Sequence, residues 1–269
     1  MRIRIVDAFT DQPFSGNPAG VLLLDSFPDD TWLRKVAAEV NLSETAFAHP
    51  LPAGGEADWA LRWFTPTTEV DMCGHATLAT AHVLHTTGTA TGTVRFATRS
   101  GVLGATAEAD GTITMDFPTS SLTPVPVPEG LEQALGAEVL AVHDTAAHIG
   151  DLVVELRDEA TIRALTPDIA ALATLSSRGV ITTAPAENPS RGYDFASRCF
   201  FPAVGIAEDP VTGSAHTALA PYWSARFGRD DLTGFQGGAR TGLVRTRLRG
   251  ERTLLSGRAV TVIEGDLHA

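Results

Sequence analysis

Two stretches of this chain read as helices with almost no polar side to turn toward water. ATLATAHVL (76–84) and SAHTALAPYW (214–223) carry small and apolar residues on nearly every face, so each must be surrounded by the rest of the fold. The flanking segments read mostly as strands, and a sheet curled around a central helix meets both conditions. The arrangement occurs twice. Arg62, Phe64 and Pro66 match Arg198, Phe200 and Pro202 at one offset, 198 − 62 = 136, and after a three-residue insertion Glu69, Gly74 and Ala76 fall opposite Glu208, Gly213 and Ala215.

The order of the remaining segments repeats as well. In the first half RIRIVDAF reads as a strand, SGNPAG as a turn and VLLL as a buried strand; FPDDTWLRKVAAEV is an amphipathic helix with Trp32, Val36 and Val40 on one stripe. TAFAHP and DWALRWFTP follow as strands around the loop LPAGGEA. In the second half AVHDTAA and DLVVEL answer the opening strands, TPDIAALATL the helix, and VITTAPAENPSRGYDFASRCFFP the strand, loop and strand. FPTSSLTPVPVPEG, rich in Pro and Ser, reads as the linker. The expected fold is α+β: two pseudo-symmetric halves, each a curled, mostly antiparallel sheet or barrel around a central apolar helix. The lobes are 1–118 and 119–269, with the final strand a candidate to return to the first.

Composition narrows the function classes. A hydrophobic fraction of 43% with 19% charged residues is that of a globular chain rather than a disordered one. A net charge of −12 argues against a nucleic-acid groove. Lys35, the only lysine, falls on the polar side of its helix, which disfavours a Schiff base. Two cysteines make no disulfide framework, and MRIRIVDAFTD lacks the apolar run of a signal peptide or membrane span. The chain is expected to be cytoplasmic, with neither nucleic-acid nor membrane partner.

The chemistry is expected where each chain turn meets its buried helix. Gly74 and Gly213 stand at these starts, where backbone N–H groups without helical partners suit a carboxylate or a developing oxyanion. Capping by Asp71 or Thr212 is the simpler alternative. If the halves face each other, both starts open on one cleft. His75, beside Cys73, has usable proton chemistry. His75 and His82 are roughly 10 Å apart at 1.5 Å per residue, too far to share an ion, and no metal is expected. A Cys–His hydrolase is disfavoured because Cys73 and His75 are nearly adjacent. A two-thiol racemase lacks its second cysteine, since the second start reads EDPVTGSA and Cys199 lies in a strand. Glu44 in NLSETAF and Asp209 beside Pro210 remain as acids, neither distinguished by its position alone.

VDAFTDQPFSGNPAGVLL, NLSETAF, RWFTPTTEVDMCGHATLATAHVL and EDPVTGSAHTAL together resemble the phenazine-biosynthesis PhzF-like family, which shares the diaminopimelate epimerase fold. GFQGGARTGLVRTRL and LLSGRAVTVIEG resemble its closing region more loosely. The resemblance implies a homodimer of two-lobed subunits and a cofactor-independent isomerase that shifts a proton along a conjugated system. It implies Glu44 as proton acceptor and donor, with His75 and Asp209 as polar catalytic partners. Ser43, Gly74, Gly213 and Ser214 would hold a small carboxylate substrate, with Cys73 beside them. Two alternatives stay open: a racemase or epimerase using Cys73 with a non-cysteine partner, and a metabolite-binding protein without turnover.

Overall fold

The structure, a computed structural model, describes residues 1–145 and 150–269. They form two compact units, Met1–Phe117 with Ser256–Ala269, and Pro118–Leu255. The first unit runs β1 (Arg2–Ala8), β2 (Asn17–Leu23), α1 (Asp30–Val40), β3 (Glu44–Pro50), β4 (Trp59–Phe64), β5 (Glu69–Val70), α2 (Gly74–Thr86), β6 (Thr93–Thr98), β7 (Gly101–Ala107) and β8 (Ile113–Pro118). Its ladder pairs β1 with β2 antiparallel, β2 with β3 parallel, β3 with β4 and β4 with β5 antiparallel, β4 with β6 parallel, and β6 with β7 antiparallel.

The second unit repeats that ladder. Its elements are β9 (Thr123–Val125), α3 (Leu131–Leu135), β10 (Val139–Asp144), β11 (Asp151–Leu156), α4 (Glu159–Ala164), α5 (Ile169–Leu172), β12 (Gly179–Pro185), β13 (Phe195–Phe201), β14 (Ile206–Asp209), α6 (Gly213–Phe227), β15 (Asp231–Gly237), β16 (Thr241–Arg249) and β17 (Arg252–Gly257). From β10 onward, antiparallel and parallel pairings alternate as they do from β1. The last strand, β18 (Ala259–Asp266), returns to the first unit and pairs antiparallel with β1.

Burial explains the layering. α2 buries nine residues from His75 to Leu84; its threonines satisfy their hydroxyls on the preceding turn, Thr77 on Cys73 O and Thr80 on Ala76 O. α6 is equally enclosed, packing Ala215, Ala218, Leu219, Tyr222 and Trp223 against Val153, Ile181 and Phe195. The opposite sheet faces are covered too. Leu33, Val36 and Ala37 of α1 pack on Leu22, Phe47 and Phe64, while Trp32 and Val40 lie only at the edge of that cluster. The corresponding layer in the second unit joins Leu131, Leu135, Ile162 and Leu172 to Val154, Val180 and Phe200.

Two sequence expectations change. TPDIAALATL supplies only the single turn of α5, and a second short helix, α4, precedes it, so the counterpart of α1 is split. Asp158 and Asp168 each cap a new start, and Thr166, standing before Pro167, is steered away from helical backbone. FPTSSLTPVPVPEG is more than a linker. Thr123–Val125 pair with β10, and Ser120 N–H donates to Thr217 O, the carbonyl that Pro221, lacking an N–H, leaves open within α6. AVHDTAA reaches beyond the described residues at its last two positions.

Candidate active site

The path to each helix start is pinned by the same ion pair. Arg62 grips Glu69 through Nε and Nη2 at 2.7 Å each, and Arg198 grips Glu208 at 2.7 and 2.9 Å. These bidentate contacts fix the direction in which β5 and β14 deliver the chain to α2 and α6. The residues before the helices, Cys73 and Thr212, have extended backbone, and neither side chain caps its helix. Asp71 is exposed and pairs with Arg99. The capping alternative therefore fails at both starts.

In the first unit, α1 stops at Asn41, whose left-handed backbone (φ 52°) asparagine tolerates. Three residues later the chain enters β3 at Glu44, in register with Ala19 of the parallel strand β2. Ser43 is half-buried just before it; Glu44 is 9% exposed and His75 4%. His75 Nε2 lies 3.4 Å from Glu44 Oε2, without hydrogen-bond alignment, while Nδ1 faces Asn17 Nδ2 at 3.2 Å and Cys73 Sγ at 3.5 Å.

Those contacts define the histidine. An amide NH₂ can only donate, so Nδ1 is the acceptor and the neutral ring carries its proton on Nε2, the nitrogen beside Glu44. Burial of the enclosed ring disfavours its charged form and holds its pKa down to about 3. Cys73, His75 and Glu44 have donor atoms within 4.8 Å of one another.

The second helix start is built differently. Thr212 Oγ1 donates to Asp209 Oδ2 at 2.5 Å, and Gln236 closes the turn. Its amide donates to Asp209 O and Thr212 Oγ1, both at 3.0 Å, and its carbonyl accepts Thr212 N–H at 2.9 Å. Ser214, one residue after Gly213, accepts from Arg178 Nη2 at 2.8 Å. Cys199 is fully buried, and burial raises its thiol well above the ordinary value, so it is no nucleophile in this setting.

Strand register supplies the remaining equivalence. Thr45 pairs with Phe64 in β3–β4 and Val180 with Phe200 in β12–β13; because Phe64 and Phe200 match, Glu44 corresponds to Gly179. A Cβ on Gly179 would lie 2.1 Å from Phe201 Cδ1 and 2.5 Å from Phe200 O. No second acid fits there.

The expected site residues thus fall into two sets: Ser43, Glu44, Cys73, Gly74 and His75 in the first unit, and Asp209, Gly213 and Ser214 in the second. The structure adds Asn17, Thr212, Gln236, Arg178 and Asp151 to these sets. Asn17 lies inside SGNPAG, where turn composition masks it, and Gln236 in the less typical GFQGG. No local motif flags Arg178 or Asp151.

Residues 6–265 match the family model described as phenazine biosynthesis-like protein. A Pseudomonas aeruginosa protein named as an uncharacterized isomerase is 51% identical over 267 residues, covering 98% of this chain and 97% of its own. The crystal structure of a PhzF-family phenazine biosynthesis protein from Enterococcus faecalis superposes with a TM-score of 0.91 at 38% identity, covering 100% of this chain and 99% of the other. A hydroxyproline epimerase from Agrobacterium vitis shares the fold alone, with a TM-score of 0.62 at 13% identity over 98% and 91% of the chains.

Proposed function

Since the chain belongs to the phenazine biosynthesis-like family and is an isomerase of that kind, we propose that Glu44 moves a proton between two carbons of a small cyclic or unsaturated carboxylic acid. The Glu44 carboxylate takes the proton from carbon, the bonding pair passes into the conjugated acid as an enolate-like anion, and the protonated side chain returns the proton at a second carbon. Such a shift is balanced by proton transfer alone and calls for no cofactor.

The observation that carries this reading is the pairing of buried Glu44 with a neutral His75 whose Nε2 proton lies beside it, set against Gly179 at the duplicate position. A single acid must both remove and return the proton. His75 orients the carboxylate or relays its proton. Gly74 N–H and Gly213 N–H stabilise negative charge, an effect of about 3 kcal/mol per well-placed donor in comparable sites. Asp209, held by Thr212, orients the substrate, and Ser43 and Ser214 bind it. The implied homodimer belongs to the same proposal, and sedimentation equilibrium should give twice the 28.3 kDa chain mass.

The test is a screen of small carboxylic acids in deuterated water. Wild type should place deuterium at carbon and Glu44→Gln should not; persistent labelling by that variant would sink the assignment of the base. A second reading, racemisation through Cys73, draws on the 3.5 Å approach of Cys73 Sγ to His75 Nδ1. Its duplicate position is Thr212, already hydrogen-bonded to Asp209, so the partner would be no thiol. Loss of labelling in Cys73→Ala, with Glu44→Gln active, would select that reading. A metabolite-binding protein would label none of the acids.

A further inference from the structure

In the duplicated ladder Arg178 stands opposite Ser43, one residue before Gly179, and Ser214 stands opposite His75. Where the first unit has a serine hydroxyl and an imidazole, the second has a guanidinium and a hydroxyl. The guanidinium is fixed on three sides. Arg178 Nη1 donates to Asp151 Oδ2 at 2.8 Å, Nη2 donates to Ser214 Oγ at 2.8 Å, and Cζ lies 4.6 Å from the centre of the Phe201 ring. Asp151, the first residue of β11, is fully buried, whereas the Arg178 side chain is 30% exposed and Ser214 is half-buried. The anchor is inside and the two groups it orders reach solvent.

That arrangement dictates what Ser214 offers. Its oxygen accepts from a cation, so the hydroxyl hydrogen is left to donate, and it does so in the first turn of α6, beside backbone N–H groups and a positive charge. Three features of one sign converge on a short piece of surface. The first unit has nothing comparable, since Ser43 carries no charge and Ala19 replaces Asp151.

We propose that Arg178, held by Asp151, is a positioning residue that turns the Ser214 hydroxyl toward the carboxylate of the substrate and makes this unit selective for acids over their neutral analogues. The inference rests on the isomerase reading for the substrate class and deepens it by naming the residues that recognise the anion. Arginine suits the task better than lysine because its planar fork binds Asp151 and Ser214 in fixed directions at once.

The experiment compares binding of cyclohex-1-ene-carboxylate and its primary amide by ligand-observed NMR titration. Wild type should favour the acid by about 10-fold or more, the scale of one charge-assisted contact. Ser214→Ala and Arg178→Met should each reduce that preference to near unity, and Arg178→Lys, which keeps charge without the fork, should restore only part of it. Because Arg178→Met strands a buried carboxylate, the double variant Asp151→Asn/Arg178→Met provides a charge-balanced check and should lose the preference equally. With an acid that the enzyme labels, Arg178→Met should raise KM far more than it lowers kcat. The proposal is overturned if either Arg178→Met or the double variant melts like wild type and keeps the preference. It is equally overturned if wild type shows no preference, or binds neither probe at millimolar concentration. Labelling by Glu44→Gln would reject the base assignment alone, since the acid-to-amide ratio is read without turnover.

Discussion

At the first helix start the opening glycine lies between Cys73 and His75; at the second it lies between Thr212 and Ser214. The ion pairs leading in, Arg62–Glu69 and Arg198–Glu208, are both bidentate, at 2.7 and 2.7 Å and at 2.7 and 2.9 Å. The scaffold was therefore duplicated while the side chains around the turn diverged. In the first unit the neighbouring strand opens with Glu44; in the second it opens with Gly179, where Phe201 occupies the space a side chain would need. Divergence of this kind leaves a repeated frame with a buried acid in one unit and no acid at the duplicate position.

The severest challenge to the comparison is to force the second unit toward the first. Gly179→Glu should prevent folding, and Gly179→Ala alone should cost about 3 kcal/mol, since overpacking against backbone cannot be relieved by a rotamer change. Urea denaturation of the alanine variant reads this directly. Next in size, Glu44→Gln should lower carbon labelling by about 100-fold or more, the usual contribution of a general base, with an unchanged melting curve.

The shared corner offers a smaller, graded contrast. Arg198 also donates to Leu165 O at 2.7 Å, and its side chain is 10% exposed, compared with 21% for Arg62. Arg198→Met should therefore destabilise by about 3 kcal/mol and Arg62→Met by about 1 kcal/mol, the difference reflecting how much buried polar surface each strands. Equal losses would mean that the two corners are energetically alike.

A further contrast is the response to acid. Burial lowers His75 to about 3 and His82 and His216 to about 4, from 6.5 unfolded. Each folded pKa lies below its unfolded value, so the unfolded chain binds more protons and stability falls as pH drops from about 6.5 toward 4. Asp151 acts in the opposite sense. Burial outweighs Arg178 and raises it to about 7 from 3.8, so it favours the folded state as pH falls across that range. His143, also lowered by burial, acts with these histidines, so a net loss is expected between pH 7.5 and pH 5, visible as a lower urea midpoint, and a steeper loss in Asp151→Asn.

Much of this molecule could be read from residue order. The all-round apolar character of 76–84 and 214–223 required two enclosed helices, and the match of Arg62, Phe64 and Glu69 to Arg198, Phe200 and Glu208 required a repeated frame. Both follow from local periodicity and composition, properties a linear string carries. Glu44 was different: as a residue it looked like an ordinary loop acid, and only the likeness of SETAF to a known family raised it. Tertiary structure alone decided what surrounds these groups. Asn17 and His75 are 58 residues apart, Arg178 and Ser214 are 36 apart, and Thr212 and Gln236 are 24 apart. Those partners meet because strand register brings them together, and register is a cooperative outcome of packing both sheet faces. The split of α4 from α5, the strand hidden in the linker and the glycine that excludes a second acid have the same origin.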